Sequence, residues 1–244
     1  MLPRALEVNM KSGPPATAVS VIIPVLHEAA CINEAIARCR ELDGGNNAEI
    51  VVVDGSPDCE TISAVSGPGV VTACSPAGRG RQMNRGAELA SGAVLLFLHV
   101  DTALPLDALA RVRDLLEDAT IVAGAFRLGI ASGRKIYRVT ERYVGLRTRL
   151  TRIPFGDQAI FIRRGYFEAI GGYRNIPLME DVELMTRIRK RGDRIGIVRE
   201  KVMTSPRRWE REGIFSCTFR NWALQLSYSL GVSPERLARW YRSS

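Results

Sequence analysis

"LLFLHVDTAL", residues 95–104, runs from a continuous apolar stretch into a histidine and an aspartate, His99 and Asp101. Continuous runs rich in β-branched and aliphatic residues are typical of strands that are buried on both faces. The apolar run around this stretch begins at residue 93, and runs of the same character cover residues 18–25, 48–54 and 70–74. We expect four strands at these positions.

Helical patterns separate these runs. Ile32, Ile36 and Cys39 fall on one helical face, and Ser56-Pro57 resembles a cap followed by a proline at the first helical position. Residues 80–90 are good helix formers and are followed by Gly92. An alternation of strands and helices predicts an α/β fold with a mostly parallel sheet flanked by helices.

Composition favours one globular domain, because 244 residues with 46% hydrophobic content can bury a core without disulfides or metal. The five cysteines are scattered and include no CxxC pair, which predicts reduced thiols and a cytoplasmic protein. Residues 1–17 have no continuous apolar segment and are expected to form a flexible leader, and no later run is long enough to span a membrane.

Basic charge is concentrated towards the C-terminus. From Arg187 onward there are 14 Lys/Arg and 5 Asp/Glu, a local charge of +9, so the preceding residues sum to −1 of the total +8. Such a region is either an ordinary arginine-rich surface or a docking face for phosphates, anionic lipid or nucleic acid.

Polar residues follow each predicted strand, where the ligand crevice of a parallel sheet lies. They are His27 and Glu28 after the first strand, Asp54 after the second, the segment 75–86 after the third, and His99 and Asp101 after the fourth. Residues two apart in extended backbone point to the same side, so His99 and Asp101 could reach one ion or ligand.

The segment "GRGRQMNRG", residues 78–86, is not a dinucleotide-binding fingerprint. It follows the third predicted strand rather than the first, and its glycine spacing is not G-x-G-x-x-G. A glycine-rich turn and a loop that faces phosphate both fit this segment.

Five motifs occur in a fixed order: "VSVIIPVLHEAACINEAI", "EIVVVDGSPD", "GRGRQMNRGAELASGAVLLFLHVDT", "PFGDQAIFIRRGYFEAIGGY" and "LMEDVELMTRIRKRG". Together they resemble the family 2 glycosyltransferases of the GT-A, or nucleotide-diphospho-sugar transferase, fold, over residues 18–205. Within that family the sequence is most similar to a small soluble bacterial subgroup found beside radical-SAM and selenium-associated proteins. We expect a GT-A domain over 18–206 and a helical C-terminal extension over 207–244.

The resemblance implies a site for a nucleotide-sugar donor. It places Pro24, Glu28 and Asp54 near the base and ribose, and Arg81 and Asn84 at the border of the donor. His99 and Asp101 occupy the family's Asp-x-Asp position, where Asp101 would ligate a divalent Mn or Mg ion that bridges to the diphosphate. His99 replaces the usual first aspartate, and imidazole suits Mn²⁺ better than Mg²⁺.

The resemblance also implies catalytic residues. Gly156, Asp157 and Gln158 match an acceptor-side loop, although Gly-Asp could simply make a turn. Glu180 and Asp181 begin a predicted helix, where the helix dipole alone favours carboxylates. In the family order Asp181 matches the general base that deprotonates an acceptor hydroxyl. Asp157 and Glu180 are the next candidates, and an inverting, hexosyltransferase-like reaction is implied.

The C-terminal region carries Phe215, Phe219, Trp222 and Leu226 on one predicted helical stripe. Core packing, a homodimer contact and peripheral docking at the inner membrane face all fit such a stripe, and nucleic-acid binding is not expected. The acceptor is unassigned, with a lipid-linked one among the options. A nucleotidyltransferase of similar fold and a catalytically silent nucleotide- or lipid-binding module are the alternative functions.

Overall fold

A computed structural model describes residues 18–44 and 48–243 of the protein. The predicted leader, residues 1–17, lies outside the described residues. The described strands are β1 (Val19–Val25), β2 (Ala48–Asp54), β3 (Val70–Cys74), β4 (Val94–Phe97), β5 (Thr102–Ala103), β6 (Ile121–Ile130), β7 (Phe161–Arg163) and β8 (Arg194–Thr204).

These strands form one mixed sheet in the order β3-β2-β1-β4-β7-β6-β8-β5. β1 pairs in parallel with β2 and β4, β2 with β3, and β6 with β8. β7 is antiparallel to both β4 and β6, and β5 is antiparallel to β8. The half that begins at β3 is therefore parallel, and its carboxyl ends lie along one edge.

Helices cover both faces of the sheet. They are α1 (Ile32–Arg40), α2 (Glu60–Ala64), α3 (Arg79–Leu89), α4 (Ala108–Leu116), α5 (Lys135–Thr151), α6 (Arg164–Ala169), α7 (Glu180–Lys190), α8 (Arg207–Glu212), α9 (Ile214–Ser229) and α10 (Pro234–Ser243). Short 3₁₀ turns lie at Leu42–Gly44 and Gly156–Gln158.

The strands are buried on both faces because successive residues point to opposite sides. Val21 and Ile23 of β1 join a core with α1 and α4, whereas Ile22 joins a second core with α3, α6 and α7. The continuous apolar runs of the sequence reflect this two-sided burial, and the predicted mostly parallel sheet is confirmed in its first half.

The predicted elements lie close to the observed ones, with two local differences. The fourth strand ends at Phe97 rather than at residue 99, so His99 and Asp101 belong to the loop that follows it. The prediction of a helix starting at Pro57 is wrong, because Ser56 begins a turn and α2 starts at Glu60 after Cys59, which has φ 52°.

Cys59 and Cys74 form a disulfide with a Cα–Cα distance of 6.0 Å. The prediction that all five cysteines are reduced thiols is therefore wrong for this pair. Spacing along the chain could not indicate the pairing, because the fold brings the residue before α2 next to the end of β3. Cys31, Cys39 and Cys217 are free thiols.

The C-terminal helices pack on α5. The rings of Tyr137 and Trp209 lie 6.0 Å apart, and those of Tyr143 and Trp222 lie 4.6 Å apart. Phe219, Trp222 and Leu226 are nevertheless exposed, so core packing is wrong for these three members of the predicted stripe. The side chain of Phe215 lies outside the described residues. A domain boundary at residue 206 stays a prediction.

Candidate functional site

Asp54 is fully buried at the end of β2, where its carboxylate organises the following turn. Oδ1 accepts hydrogen bonds from the backbone N–H and the hydroxyl of Ser56, each at 2.8 Å, and Oδ2 accepts one from the N–H of Thr61 at 2.8 Å. Burial by itself raises the pKa of Asp54, but these hydrogen bonds outweigh it and hold the pKa below its ordinary value. Asp54 therefore shapes the turn as a fixed anion.

A cavity of about 600 Å³ opens at the carboxyl ends of the first three strands. Its lining consists of short, mostly apolar segments from the three strand ends: Leu26, His27, Gly55, Ser56, Pro57, Cys59, Cys74, Ser75, Pro76 and Ala77. We call it the strand-end cavity. Its place at the carboxyl edge of parallel strands is where α/β sheets bind nucleotides.

Gln82 of α3 links the ends of β1 and β2 next to this cavity. The sequence patterns did not indicate this role. Its buried amide donates to the carbonyls of Val25 at 2.6 Å and Val53 at 3.0 Å, at the ends of β1 and β2. A Cβ on Gly55 would lie 2.8 Å from the Gln82 side chain, so any larger residue at position 55 would displace the Gln82 amide.

Pro24 and Glu28 lie at the end of β1 but do not line the strand-end cavity. Pro24 is inside β1, beyond the last residue that pairs with β4, so its missing N–H costs no ladder hydrogen bond on that side. The carbonyl of Glu28 accepts from the N–H groups of Cys31 and Ile32 at the start of α1.

Arg81 and Asn84 lie on α3 and interact with the loop before α7. Arg81 Nε donates to Asn175 Oδ1 at 2.6 Å. The Asn84 amide donates to the Tyr173 carbonyl at 2.8 Å and accepts from the Tyr173 N–H at 2.9 Å. Both side chains join two parts of the site.

An acidic cluster, which we define as Asp101, Asp157, Glu180 and Asp181, lies beside the end of β4. Asp157 is within electrostatic range of both Asp101 and Asp181. A Cβ on Gly156 would lie 3.0 Å from His99 Nε2 and 3.2 Å from Asp181 Oδ2, so these two atoms approach the same point. The structure thus brings together residues that are 80 positions apart in the sequence.

Asp157 is poorly solvated. Its Oδ1 is inaccessible to solvent and has no hydrogen-bond partner among the described residues. Burial raises the pKa of Asp157 to about 6, an effect that Asp181 and Asp101 reinforce and that Arg147 and Arg79 oppose. Arg147 lies over the Phe155 ring at 3.5 Å and donates to Gln158 Oε1 at 3.2 Å.

Glu180 begins α7 and is buried. Burial and the neighbouring Asp181 raise the pKa of Glu180, and the Arg79 guanidinium, 3.6 Å from Glu180 Oε1, opposes the rise. Asp181 follows, and its Oδ2 accepts the Gly156 N–H at 2.6 Å. Of the cluster's two first-turn carboxylates, Asp181 is the more accessible to an incoming ligand.

Helices α8 and α9 bring side chains within electrostatic range of the acidic cluster, and no sequence pattern indicated this. Arg207 donates to Cys31 Sγ at 3.5 Å and is within electrostatic range of Glu28 and Asp101. Tyr228, near the end of α9, is in range of Asp181. Arg207 is the first residue of α8 and stands in the sequence "SPRRWE", a composition that carries no recognisable signal.

A divalent cation would find few protein ligands here. Within residues 18–44 and 48–243, no three His, Cys, Asp or Glu side chains are arranged as a metal cage. One or two carboxylates together with substrate phosphates suffice for Mg²⁺ in many phosphate sites. Asp101 therefore suits a cation whose other ligands come from a diphosphate. It does not suit a cation that is held by protein side chains alone.

The model for glycosyl transferase family 2 matches residues 20–175. The chain belongs to this family. The match includes the strand-end cavity, His99, Asp101 and Asp157, and it ends before Glu180 and Asp181. The resemblance to family 2 glycosyltransferases is confirmed.

Two curated relatives of this chain are mycobacterial. The PGL/p-HBAD biosynthesis glycosyltransferases of Mycobacterium bovis (strain BCG / Pasteur 1173P2) and Mycobacterium tuberculosis (strain ATCC 25177 / H37Ra) are each 34% identical to this chain over 166 residues. The alignment covers 63% of this chain and 62% of each relative, so the chain spans less than two thirds of their length.

Solved structures share the fold. The mannosyltransferase PcManGT from Pyrobaculum calidifontis, in complex with GDP-Man and Mn²⁺, has a TM-score of 0.62 and 24% identity, covering 76% of this chain and 56% of that chain. TarS 1–349 of S. aureus in complex with UDP-GlcNAc has a TM-score of 0.59 and 16% identity, covering 77% and 58%. The predicted GT-A fold is confirmed.

Proposed function

We propose that the protein transfers a sugar from a nucleoside diphosphate donor to an acceptor hydroxyl. The observation that carries this proposal is that Asp157 lies within electrostatic range of both Asp101 and Asp181, in a fold whose parallel strands open a cavity at their carboxyl ends. The arrangement offers one carboxylate for a cation and another for a proton. Family membership and the donor complexes of solved proteins with this fold support the same reaction.

The donor's nucleoside is proposed to occupy the strand-end cavity. Its apolar lining, from Leu26 to Ala77, suits the faces of a base, and the turn held by Asp54 supplies its polar rim. Pro24, Glu28, Arg81 and Asn84 would act from the border of this site rather than from its lining. His99 and Asp101 are not among the lining residues of the cavity, and the diphosphate is proposed to extend towards them.

Asp101 is the proposed ligand of a Mn or Mg ion, with the donor diphosphate as the second source of ligands. A bound divalent cation would offset the negative charge that develops on the departing nucleoside diphosphate. Arg207 lies within electrostatic range of Asp101 and adds positive charge on the same side. His99 Nε2 would favour Mn²⁺ over Mg²⁺ if it also became a ligand.

Asp181 is the proposed general base. The Gly156 N–H holds one of its oxygens at 2.6 Å and thereby fixes the carboxylate towards the point that His99 also approaches. A carboxylate in this position can take the proton of an acceptor hydroxyl as that hydroxyl attacks the anomeric carbon. A single displacement of this kind inverts the anomeric configuration, and Asp157 and Glu180 stand next to Asp181 as alternative bases.

The finer details of the proposal come from the resemblance. These are the hexosyl donor and the bacterial subgroup found beside radical-SAM proteins, whereas the cytoplasmic location was predicted from the scattered cysteines and stays a prediction. Among the described residues no helix is long and apolar enough to cross a membrane.

Incubation of the purified protein with UDP- and GDP-sugars, in Mg²⁺ and in Mn²⁺, tests the reaction. We expect thermal stabilisation by one nucleoside diphosphate and slow release of that nucleoside diphosphate from its sugar conjugate. Pyrophosphate release from a nucleoside triphosphate would instead identify a nucleotidyltransferase. Tight nucleotide binding with neither reaction would identify a silent binding module.

A further inference from the structure

Helix α5 presents an apolar line to solvent. Val139, Tyr143, Leu146 and Leu150 follow one another at intervals of four, three and four residues, so they lie on one side of the helix. All four are exposed, with exposed fractions from 38% for Tyr143 to 73% for Leu150. A helix in a soluble protein ordinarily turns such a line towards a core.

Helix α9 presents a second apolar line. Phe219, Trp222 and Leu226 of α9 and Leu230, which directly follows the helix, are spaced by three, four and four residues, and their exposed fractions run from 45% to 77%. The two lines meet where the rings of Tyr143 and Trp222 lie 4.6 Å apart. We call the joined area the α5–α9 surface. Large contiguous apolar patches of this kind mark interaction sites.

Basic side chains border this surface along α5. Lys135, Arg142 and Arg149 are exposed and recur every seven residues, so they form a line beside Val139 and Leu146. Glu141 is the one acidic residue in the sequence of α5, and it is buried. The sequence of α9 contains one arginine and no carboxylate.

A cavity of about 220 Å³ lies on the same basic side and is lined by Arg127, Arg138, Glu141, Arg142 and Lys201. Glu141 is already engaged, since it forms ion pairs at 2.7 Å with Arg138 and with Lys201 and accepts the Ile130 N–H at 2.8 Å. Arg127 and Arg142 have no ion pair within the described part of the chain. The cavity therefore carries excess positive charge next to the α5–α9 surface.

We propose that the α5–α9 surface docks on an anionic membrane, with its leucines among the acyl chains, its aromatic rings at the headgroup level and the cavity beside Arg142 receiving a lipid phosphate. An apolar helix face bordered by Lys and Arg is the pattern of helices that lie in a bilayer interface. Exposed aromatic rings such as Trp222 suit the headgroup level.

The charge pattern favours a membrane over a second copy of the chain. A two-fold contact brings the same patch of both copies together, and the basic line of α5 would then face like charge. Anionic lipid instead offers opposite charge next to an apolar layer. The proposal concerns a surface outside the acidic cluster, so it does not depend on the reaction proposed above.

Vesicle flotation of the full chain tests the proposal with two vesicle types, phosphatidylcholine alone and phosphatidylcholine mixed with phosphatidylglycerol. We expect binding to the mixed vesicles that weakens as salt rises, because exposed charges are screened over about 10 Å at 0.1 M. Arg142→Gln/Arg149→Gln should lower the partition coefficient on mixed vesicles roughly ten-fold or more. Arg189→Gln/Lys190→Gln, two exposed basic residues on α7, is the matched control and should bind like the wild type.

The apolar contribution is tested by Leu146→Ser/Leu150→Ser, which should also lower partition roughly ten-fold or more. Leu106→Ser is the control, since Leu106 is 67% exposed but lies between β5 and α4. Thermal unfolding of each variant verifies folding. Equal binding to neutral and mixed vesicles, or equal binding by all variants, would overturn the proposal. A dimer in sedimentation analysis that the Leu146→Ser/Leu150→Ser change dissociates would overturn it in favour of a second copy.

Discussion

The backbone N–H of Gly156 donates a 2.6 Å hydrogen bond to Asp181 Oδ2 and so ties the turn that carries Asp157 to the first turn of α7. His99 Nε2 lies beside this hydrogen bond, 3.0 Å from where a Cβ on Gly156 would lie. We call the place where Gly156, Asp181 and His99 meet the Gly156 corner. Three chain segments therefore share one fixed point, and small displacements there should affect turnover more than folding.

Gly156→Ala tests this corner. The added Cβ would lie 3.0 Å from His99 Nε2 and 3.2 Å from Asp181 Oδ2, so both groups must shift by a few tenths of an ångström. We expect transfer to slow roughly ten-fold with a small change in melting temperature, since misplaced catalytic groups are costly. Gly145→Ala is the control, because its Cβ would meet nothing within 4 Å. Equal turnover in both variants would show that the corner tolerates movement.

Asp181→Asn tests the proposed base. The amide oxygen can still accept the Gly156 N–H, so the turn should persist, but an amide cannot take a proton. We expect donor affinity near that of the wild type and transfer slower by roughly 10²-fold or more. Titration calorimetry and a donor-hydrolysis rate measure the two effects. Asp114→Asn, at an exposed position on α4, is the control. Undiminished turnover would move the base to Asp157 or Glu180.

Asp101→Ala tests the proposed metal ligand. Without this carboxylate the affinity for a nucleoside diphosphate should lose most of its dependence on Mn²⁺ or Mg²⁺, and turnover should fall with it. Binding measured in a chelator should be nearly the same for the variant and the wild type. A variant that keeps the full metal response would place the cation elsewhere.

Asp157→Asn should stabilise the fold above pH 6. The native state keeps the Asp157 proton up to a pKa of about 6, whereas the unfolded chain loses it near the ordinary 3.8. Stability therefore falls as pH rises between these values, and the cost is complete above them. We expect the variant to gain roughly 1–3 kcal/mol at pH 7–8 and to lose this advantage below about pH 4. Thermal unfolding across this range measures it, and an equal gain at every pH would contradict the titration.

Cys59→Ala/Cys74→Ala should destabilise the protein and weaken nucleotide binding, because both residues line the strand-end cavity. The disulfide closes a loop with a sequence separation of 15 residues, for which the chain-entropy cost is about 3 kcal/mol. A reductant should lower the melting temperature of the wild type and leave the variant unchanged. Cys217→Ala, at a free thiol, keeps the response to reductant.

The sequence predicted what depends on local periodicity. β2 and β3 fall at the predicted residues, and α7 begins at Glu180 as expected, because two-sided burial and first-turn carboxylates leave clear patterns. No sequence pattern indicates the hydrogen bonds that Gln82 donates to the strand ends, or the one that Arg207 donates to Cys31. Both depend on contacts between segments 29 and 176 residues apart, which only the fold creates.

Site residues divide in the same way. Asp101, Asp157 and Asp181 could be proposed from the order of the motifs, through the resemblance to the family. The exposed line on α5 could have been read from the spacing of Val139, Leu146 and Leu150. That this line joins a second apolar line on α9 could not be predicted, because the two helices come together only in the folded chain.

The Asn84 side chain donates one hydrogen bond to the Tyr173 backbone and accepts another from it, so α3 and the loop before α7 are expected to move together. Gln82, on the same helix α3, donates hydrogen bonds to the ends of β1 and β2 beside the strand-end cavity. The loop before α7 leads into Asp181 in the first turn of that helix. A ligand that makes the strand ends more rigid is therefore expected to make the loop before α7 more rigid as well. Hydrogen exchange in residues 171–182 should slow when a nucleoside diphosphate binds, because donor binding is then coupled to the segment that carries the proposed base.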